Sequence, residues 1–197
     1  MFFNNLKIIA VSKTFPIEKI MPLINSGHIH FGENKVQETI NKWSKIKEEK
    51  SNIQLHLVGK LQSNKVKFAV NIFDYIHSLD SEKLANKIAS EEEKNKKKIK
   101  LFIQVNIGEE KQKSGIEEEK LDGFYKYCLR LNLNVIGLMC IPPQNEEADD
   151  YFKKMEILSK KYNFKELSMG MSADYLKASK YSATYLRIGS NIFGKRS

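Results

Sequence analysis

Short apolar runs alternate with amphipathic segments along the whole chain. The first run, Ile-Ile-Ala-Val at residues 8–11, is uniformly apolar, which is typical of a strand buried on both faces. Between such runs, apolar residues recur at helical spacing, as they do at Val36, Ile40 and Trp43. Further strands are predicted at residues 28–31, 53–58, 72–77, 99–105, 135–139, 166–168 and 183–188.

Eight strand–helix units predict an α/β protein with a parallel sheet, because each helix carries the chain back across the sheet. That number favours a closed (β/α)8 TIM barrel over an open doubly wound sheet. The sequence has no Pro-, Gly- or Ser-rich linker, so residues 1–197 are predicted to form a single domain. The seventh strand is the weakest of the series, and Met169-Gly170-Met171-Ser172 is predicted to begin the helix that follows it.

Composition places the chain among globular proteins. Of its 197 residues, 41% are hydrophobic and 29% charged, and no apolar run approaches the ~20 residues that a membrane span requires. The first residues lack the basic region and long apolar stretch of a secretion signal. Cys128 and Cys140 fit neither a disulfide framework nor a metal site. We therefore expect free core thiols in a reducing, cytoplasmic compartment.

The formal net charge of +9 raises the question of nucleic-acid binding. Almost all of the positive charge is lysine, and a cluster at residues 94–98 lies at the end of a predicted helix, where cations complement the helix dipole. The sequence carries no helix-turn-helix, zinc-finger, RRM or KH signature. A solvated basic surface is therefore favoured over a nucleic-acid-binding module.

Candidate chemistry lies at the carboxyl ends of the predicted strands, where barrel enzymes place their active sites. Lys13 follows the first strand closely. Considered alone, this lysine has two interpretations. In the commoner case its stem packs while the ammonium group reaches water. In the other, a partly desolvated amine forms a Schiff base with an aldehyde. Arg187 and the turn Gly189-Ser190 end the last strand, and backbone N–H groups at such turns attract phosphate. Together these groups describe a site for pyridoxal 5′-phosphate (PLP), an aldehyde that bears a phosphate.

Several segments, in order along nearly the whole chain, resemble the pyridoxal phosphate homeostasis protein family. They are Ala10-Val11-Ser12-Lys13-Thr14, Phe31-Gly32-Glu33-Asn34, the run from His56 to Lys65, Lys113-Ser114-Gly115, Gly137-Leu138-Met139, Leu167-Ser168-Met169-Gly170-Met171-Ser172 and the run from Arg187 to Gly194. The resemblance implies a fold similar to the N-terminal barrel of alanine racemase. It also implies a Schiff base on Lys13, phosphate held near residues 168–172 and 189–190, and Arg187 facing the pyridine nitrogen. The implied cofactor-binding set is Lys13, Asn34, Met139, Ser168, Met169, Gly170, Ser172, Arg187, Gly189 and Ser190.

Several of these residues also have purely structural interpretations. Asn34 and Asn64 are as well suited to capping helices as to contacting a cofactor. His56 is expected to be a hydrogen-bonded core residue rather than an acid or base. Met139, Met169 and Met171 are expected to line the pocket or pack beneath it, and Cys140 to be structural.

One departure from the family pattern concerns the start of the chain. Members usually carry a helix before the first strand, whereas this chain reaches its first strand by residue 6. The barrel is therefore expected to lack the usual N-terminal helix, with the surface beside the first strand exposed.

The resemblance implies a non-catalytic protein that stores, buffers and delivers PLP, with PLP-dependent apo-enzymes as possible partners. The alternative is a PLP-dependent amino-acid racemase, which needs a second acid or base on the opposite cofactor face. Alanine racemase takes that group from a tyrosine of another domain, and none of the eight tyrosines here is an evident equivalent. An arginine at the pyridine nitrogen also weakens the electron sink that racemisation uses, although alanine racemase tolerates one. The sequence leaves a monomer and a weak dimer both open.

Overall fold

The computed structural model describes residues 6–110 and 112–194, which form a closed barrel of eight parallel strands in the order β1 to β8. The strands are β1 Lys7–Val11, β2 His30–Glu33, β3 Gln54–Leu57, β4 Tyr75–Leu79, β5 Lys100–Gln104, β6 Val135–Met139, β7 Glu166–Met171 and β8 Tyr185–Ile188. The α-helices are α1 Ile17–Asn25, α2 Val36–Glu49, α3 Val66–Ile72, α4 Glu82–Asn95, α5 Leu121–Arg130, α6 Ala148–Lys161, α7 Tyr175–Ala178 and α8 Ser190–Phe193. Short 3₁₀ helices span Ser63–Lys65 and Glu118–Lys120. The predicted (β/α)8 barrel is confirmed.

The barrel closes between its first and last strands. Ile9 of β1 lies opposite Arg187 of β8, while Ala10 lies opposite Phe31 of β2. Because strands β1 and β8 are neighbours, side chains that are far apart in the sequence lie side by side where the barrel closes. Ile8, on the outer face of β1, is 41% exposed, in agreement with the surface expected to be open beside the first strand. The prediction of a missing N-terminal helix falls on residues 1–5, outside the described residues.

Side chains alternate between the barrel interior and the layer under the helices, as the period of a strand requires. In β1, Ile9 packs inside with Phe102 and Tyr185, whereas Ala10 belongs to the larger apolar cluster that the helices cover. The interior is unusually polar for this fold, which is ordinarily filled by branched aliphatic residues. It contains buried polar side chains from four strands, namely His56, His77, Ser168 and Arg187.

Three segments differ from the sequence prediction. The second strand spans His30–Glu33 rather than residues 28–31, because the N–H of His28 still bonds the carbonyl of Leu23 in α1. The fourth strand spans Tyr75–Leu79 rather than residues 72–77, because Ile72 still belongs to α3 and the N–H of Phe73 closes that helix on the carbonyl of Ala69. The seventh strand runs on to Met171, so the segment predicted to begin a helix is mostly strand, and α7 begins only at Tyr175.

Glycine allows the strand to continue through this segment. Gly170 has φ of +87°, and a Cβ there would lie 2.6 Å from Cβ of Ala178. The register between β7 and β8 shifts between Ser168 and Met171, which is the stretch that contains Gly170.

The two cysteines are free and buried, as predicted, and burial raises the pKa of each thiol to about 12. Within the part of the chain that the structure describes, no helix has the length and apolar character needed to cross a membrane.

Candidate functional site

A cavity of about 490 Å³ opens at the carboxyl ends of the strands. Its walls come from the segments that follow β1, β2, β3, β6, β7 and β8, so residues distant in sequence share one site. The lining residues are Val11, Lys13, Phe15, Asn34, Val58, Ile141, Met171, Ser172, Ala173, Arg187, Gly189, Ser190 and Gly194.

Lys13 stands in a tight turn just beyond β1. The N–H of Ser12 donates to the carbonyl of Gly32 at 2.9 Å, which prolongs the pairing with β2, and the N–H of Phe15 returns to the carbonyl of Ser12. Thr14 adopts a left-handed conformation with φ of +69°, and its N–H donates to Oε1 of Glu38 at 2.7 Å. The backbone on both sides of Lys13 is therefore fixed by hydrogen bonds.

A buried carboxylate lies behind this turn. Glu33 Oε1 accepts hydrogen bonds from the hydroxyl of Ser12 at 2.8 Å, from Nζ of Lys42 at 3.0 Å and from the indole N–H of Trp43 at 3.0 Å. Lys42 Nζ also donates to the carbonyl of Ser12 at 3.0 Å. The segment containing Glu33 was part of the sequence resemblance, but its link to the lysine turn depends on contacts that the sequence does not show.

Another wall of the cavity joins the turns that follow β7 and β8. The N–H of Gly189 donates to the hydroxyl of Ser172 at 3.2 Å, and the side-chain amide of Asn191 donates to the carbonyl of Ser172 at 3.2 Å. Asp174 holds the base of the first turn by accepting the N–H of Met171 at 2.6 Å. These contacts place hydroxyl groups of Ser172 and Ser190 and the start of α8 at one end of the cavity.

Arg187 forms the floor of the cavity and is 4% exposed. Its Nη1 donates to the carbonyl and the hydroxyl of Ser168, both at 2.7 Å, and its Nη2 donates to the carbonyl of Cys140 at 2.8 Å. Burial lowers the pKa of the guanidinium. The three bonds account for three of its five N–H donors, and the other two are available for a ligand.

Behind Arg187, a chain of hydrogen-bonded side chains crosses the barrel interior. Nδ1 of His30 lies 3.0 Å from Nε2 of His56, Nδ1 of His56 lies 3.0 Å from Nε2 of His77, and Nδ1 of His77 lies 2.9 Å from Oγ of Ser168. We refer to His30, His56, His77 and Ser168 as the histidine relay. The expectation that His56 is a hydrogen-bonded core residue is confirmed, but the relay itself was not predicted.

Desolvation is the main cause that favours the neutral form of the relay histidines. It lowers the pKa values of His56 and His77 well below the usual value, and Arg187 lowers that of His77 further. Desolvation, helped by His28, Lys7 and Lys100, lowers the pKa of His30 to about 4.

Six of the ten residues predicted to bind the cofactor line the cavity: Lys13, Asn34, Ser172, Arg187, Gly189 and Ser190. The other four, Met139, Ser168, Met169 and Gly170, are buried behind its surface. Met139 packs beside Val11 in the interior, as expected for a residue beneath the pocket. The same expectation for Met169 is wrong, because its side chain packs in the apolar layer under the helices.

The two asparagines with alternative roles lie in different places. The N-cap residue of α2 is Lys35, so Asn34 does not cap that helix and instead lines the cavity. A Cβ at Gly59 would lie 2.5 Å from the carbonyl oxygen of Asn34, so the β3 turn packs directly against it. Asn64 lies inside a 3₁₀ helix beside a separate groove, away from the cavity.

Comparison with known proteins agrees with this arrangement. The family model for the N-terminal domain of alanine racemase matches residues 3–197. The curated pyridoxal phosphate homeostasis protein of Aquifex aeolicus is 40% identical, the alignment covering 98% of this chain and 88% of the relative. The corresponding protein of Escherichia coli K12 is 33% identical over 98% of this chain and 87% of its own length.

Solved structures show the same relationship. PipY of Synechococcus elongatus PCC7942, solved with PLP bound, is 34% identical and superposes with a TM-score of 0.89, covering 97% of this chain and 93% of PipY. An alanine racemase of Clostridium difficile 630 shares the fold at 14% identity, with a TM-score of 0.73 over 98% of this chain and 53% of the racemase.

The fold and the family match define a barrel of the alanine racemase N-terminal domain class. This class contains both full-length racemases and single-barrel proteins. With identities of 33–40% along almost its whole length, the chain belongs to the pyridoxal phosphate homeostasis protein family.

Proposed function

We propose that this protein binds PLP covalently at Lys13 and serves to store, buffer and deliver the cofactor without catalysing a reaction. The observation that carries the proposal is the convergence of Lys13, Arg187 and the Ser172–Gly189 turn pair on one cavity. Its volume of about 490 Å³ lies in the range of small-molecule sites. When bound, PLP would supply an aldehyde that can condense with a lysine amine, with loss of one water.

The residues present match the three recognisable parts of the cofactor. Lys13 supplies the amine, and the hydroxyls of Ser172 and Ser190 together with the turn at Gly189 supply donors for a phosphate. Arg187 supplies N–H donors to the pyridine nitrogen. A Cβ at Gly189 would lie 3.3 Å from the carbonyl of Val11, so the phosphate end of the cavity packs against the strand that leads to Lys13.

The same residues support a carrier rather than a racemase. A guanidinium only donates hydrogen bonds, so a pyridine nitrogen facing Arg187 stays unprotonated and withdraws electrons poorly. Among the described residues that line the cavity, none is a tyrosine that would act as a second base. The relatives are named for homeostasis, and PipY was solved with PLP bound, which supports extending this function to the present chain.

The proposal has three further parts. We place the protein in the cytoplasm, which the two free, buried cysteines support. We expect apo-forms of PLP-dependent enzymes to receive the cofactor. We expect a monomer or a weak dimer, which sedimentation at increasing protein concentration measures.

Binding is tested by adding PLP, recording the visible absorption spectrum, reducing with borohydride and mapping the labelled peptide. We expect one labelled lysine, Lys13, and no label in Lys13→Ala. Lys60→Ala, in the segment that follows β3, is the matched control and keeps the label. Label spread over surface lysines would overturn the proposal. Inversion of L-alanine to D-alanine by the loaded protein would favour the racemase instead.

A further inference from the structure

The buried cation in the cavity floor lacks a carboxylate in direct contact. Among the described residues, no salt bridge involves Arg187. Asp174 acts on it through space, but that carboxylate already accepts the N–H of Met171. The direct partners of the guanidinium are the neutral oxygens of Ser168 and Cys140. A buried charge is costly unless such groups are well oriented, so the orientation of the Ser168 hydroxyl matters.

The hydroxyl of Ser168 has one proton to donate and two lone pairs with which to accept. One lone pair receives Nη1 of Arg187, and the remaining contact is with Nδ1 of His77. If Ser168 donates to His77, then Nε2–H of His77 donates to Nδ1 of His56, and Nε2–H of His56 donates to Nδ1 of His30. In this arrangement the acceptor lone pair of each relay member points toward Arg187, and the proton that it donates points away from Arg187.

The opposite set of tautomers reverses the donor and acceptor of every hydrogen bond in the relay. His77 and Arg187 then both donate to the same oxygen, and each imidazole turns its N–H toward the guanidinium. The field of a buried cation disfavours that arrangement, because the interaction of charge and dipole is strong where water is excluded.

Packing fixes the ring planes and so keeps the bonds aligned. The ring of His77 stacks on Phe102 at 4.3 Å between centroids and 16° between planes, and His56 stacks on Tyr75 at 4.1 Å and 15°. Since both histidines are fully buried, rotation of either ring would break two hydrogen bonds without water to replace them.

We propose that the histidine relay is a neutral, uniformly oriented chain of dipoles that takes the place of a carboxylate counter-ion for Arg187 and positions its guanidinium in the cavity floor. Its members are positioning residues, since they act through Arg187. The part that concerns cofactor affinity rests on the proposed function. Because the relay is neutral, it does not offset the positive charge of the Arg187 guanidinium as an anion would. The N–H groups that Arg187 does not use within the protein therefore remain strong donors toward a pyridine nitrogen.

The orientation is tested on the full, cofactor-free chain labelled with ¹⁵N-histidine, using long-range proton–nitrogen NMR spectra at pH 7.5. We expect His30, His56 and His77 to be neutral with the proton on Nε2. A proton on Nδ1 of His56 or His77, or a charged ring at either position, would overturn the proposal. The measurement needs no PLP, so it stands even if the proposed function fails.

Dependence on the cation is tested with Arg187→Met and Arg187→Lys. Removing the charge is expected to give mixed tautomers at His77, while Arg187→Lys, which keeps a cation, retains the Nε2–H form. Arg130→Met is the control. Arg130 lies on α5 over the ring of Tyr127, so we expect this variant to leave the relay spectrum unchanged. A Nε2–H pattern that persists in well-folded Arg187→Met would show that Arg187 does not orient the relay.

The positioning role is tested with Ser168→Ala, which cuts the link between the relay and Arg187. We expect PLP affinity to fall about tenfold, as for loss of one hydrogen bond to a charged group, with the carbonyl of Ser168 still holding Nη1. Ser159→Ala is the matched control, since its buried hydroxyl donates to the carbonyl of Phe164 far from the cavity. Equal PLP affinities in Ser168→Ala and Ser159→Ala would show that the relay does not position Arg187.

Discussion

Lys42 and Glu33 form an ion pair of 3.0 Å beneath the turn that carries Lys13. The carboxylate is fully buried and the lysine side chain is 10% exposed. Because Lys42 also donates to the carbonyl of Ser12, the pair ties α2 to the residue that precedes Lys13. The position of Lys13 thus depends on a charge pair that does not line the cavity.

Glu33→Gln is therefore expected to affect both stability and the site. The substitution removes the negative charge that faces the Lys42 ammonium group. It also places an amide N–H₂ where Glu33 Oε2 has no hydrogen-bond partner among the described residues. Breaking a buried pair in this way costs about 3 kcal/mol in the free energy of unfolding. Urea denaturation measures that loss, and borohydride trapping measures the labelling of Lys13.

The matched control for this prediction is Asp122→Asn. It breaks a pair of 2.7 Å with Lys126 in which both side chains are more than half exposed, so we expect no measurable change. Similar stability in Glu33→Gln and the wild type would mean that the buried pair does not hold the turn.

Ser172→Ala is expected to weaken PLP binding about tenfold, because the N–H of Gly189 loses its acceptor and the two turns at the phosphate end separate. Titration followed by absorbance gives the affinity. Ser179→Ala serves as control, since that exposed hydroxyl only bonds the carbonyl of Leu176. An unchanged affinity in Ser172→Ala would show that the link between the turns is dispensable.

Gly137→Ala is expected to prevent normal folding. A Cβ at this position would lie 1.9 Å from the carbonyl oxygen of Glu166 in β7, and backbone cannot move aside as a side-chain end can. Gly123→Ala, in the exposed part of α5 with nothing within 4 Å of its Cβ, is expected to stabilise by about 0.5–1 kcal/mol. Thermal unfolding of both variants checks the contrast, and a Gly137→Ala protein as stable as wild type would contradict the close approach of β6 and β7.

Stability is expected to fall as the pH drops below about 6.5. His56 and His77 have pKa values well below those of the unfolded chain, so the unfolded state binds more protons in this range. Their contribution is fully present above pH 6.5 and is lost as the pH falls from there toward the folded pKa values, at about 1.4 kcal/mol per pH unit for each histidine.

Urea denaturation between pH 7.5 and 5.5, above the range in which carboxylates titrate, measures this dependence. A free energy of unfolding that stays constant over the interval would mean that the buried rings are not kept neutral. His77→Gln should show a shallower slope, because it removes one of the three rings whose pKa values are lowered in the folded state, His30, His56 and His77.

The architecture was predictable because each strand is a short apolar run and each helix has one apolar face. Lys13, Arg187 and Gly189 could be placed in one site for the same reason, since the ends of parallel strands meet at one edge. The boundary after Ser168 was not predictable, because Gly170 resembles a turn residue in sequence while it lets β7 continue in the structure.

The histidine relay could not be recognised from sequence. Its three rings come from β2, β3 and β4, and each alone resembles an isolated polar residue in an apolar run. Only the register between strands shows that they share the barrel interior. Likewise, Lys42 lies nine residues beyond Glu33 on a helix that also carries Lys45 and Lys47, and nothing local distinguishes it from them.

The pairing of β1 with β8 also determines when the site is formed during synthesis. Lys13 leaves the ribosome long before Arg187, and Ile9 acquires its β8 neighbour only after the last strand has emerged. Until then one edge of β1 is unpaired, and the cavity lacks the wall that β8 and the turn after it supply. A nascent chain is therefore expected to hold no ligand until β8 has emerged, so ligand retention reports on a closed barrel.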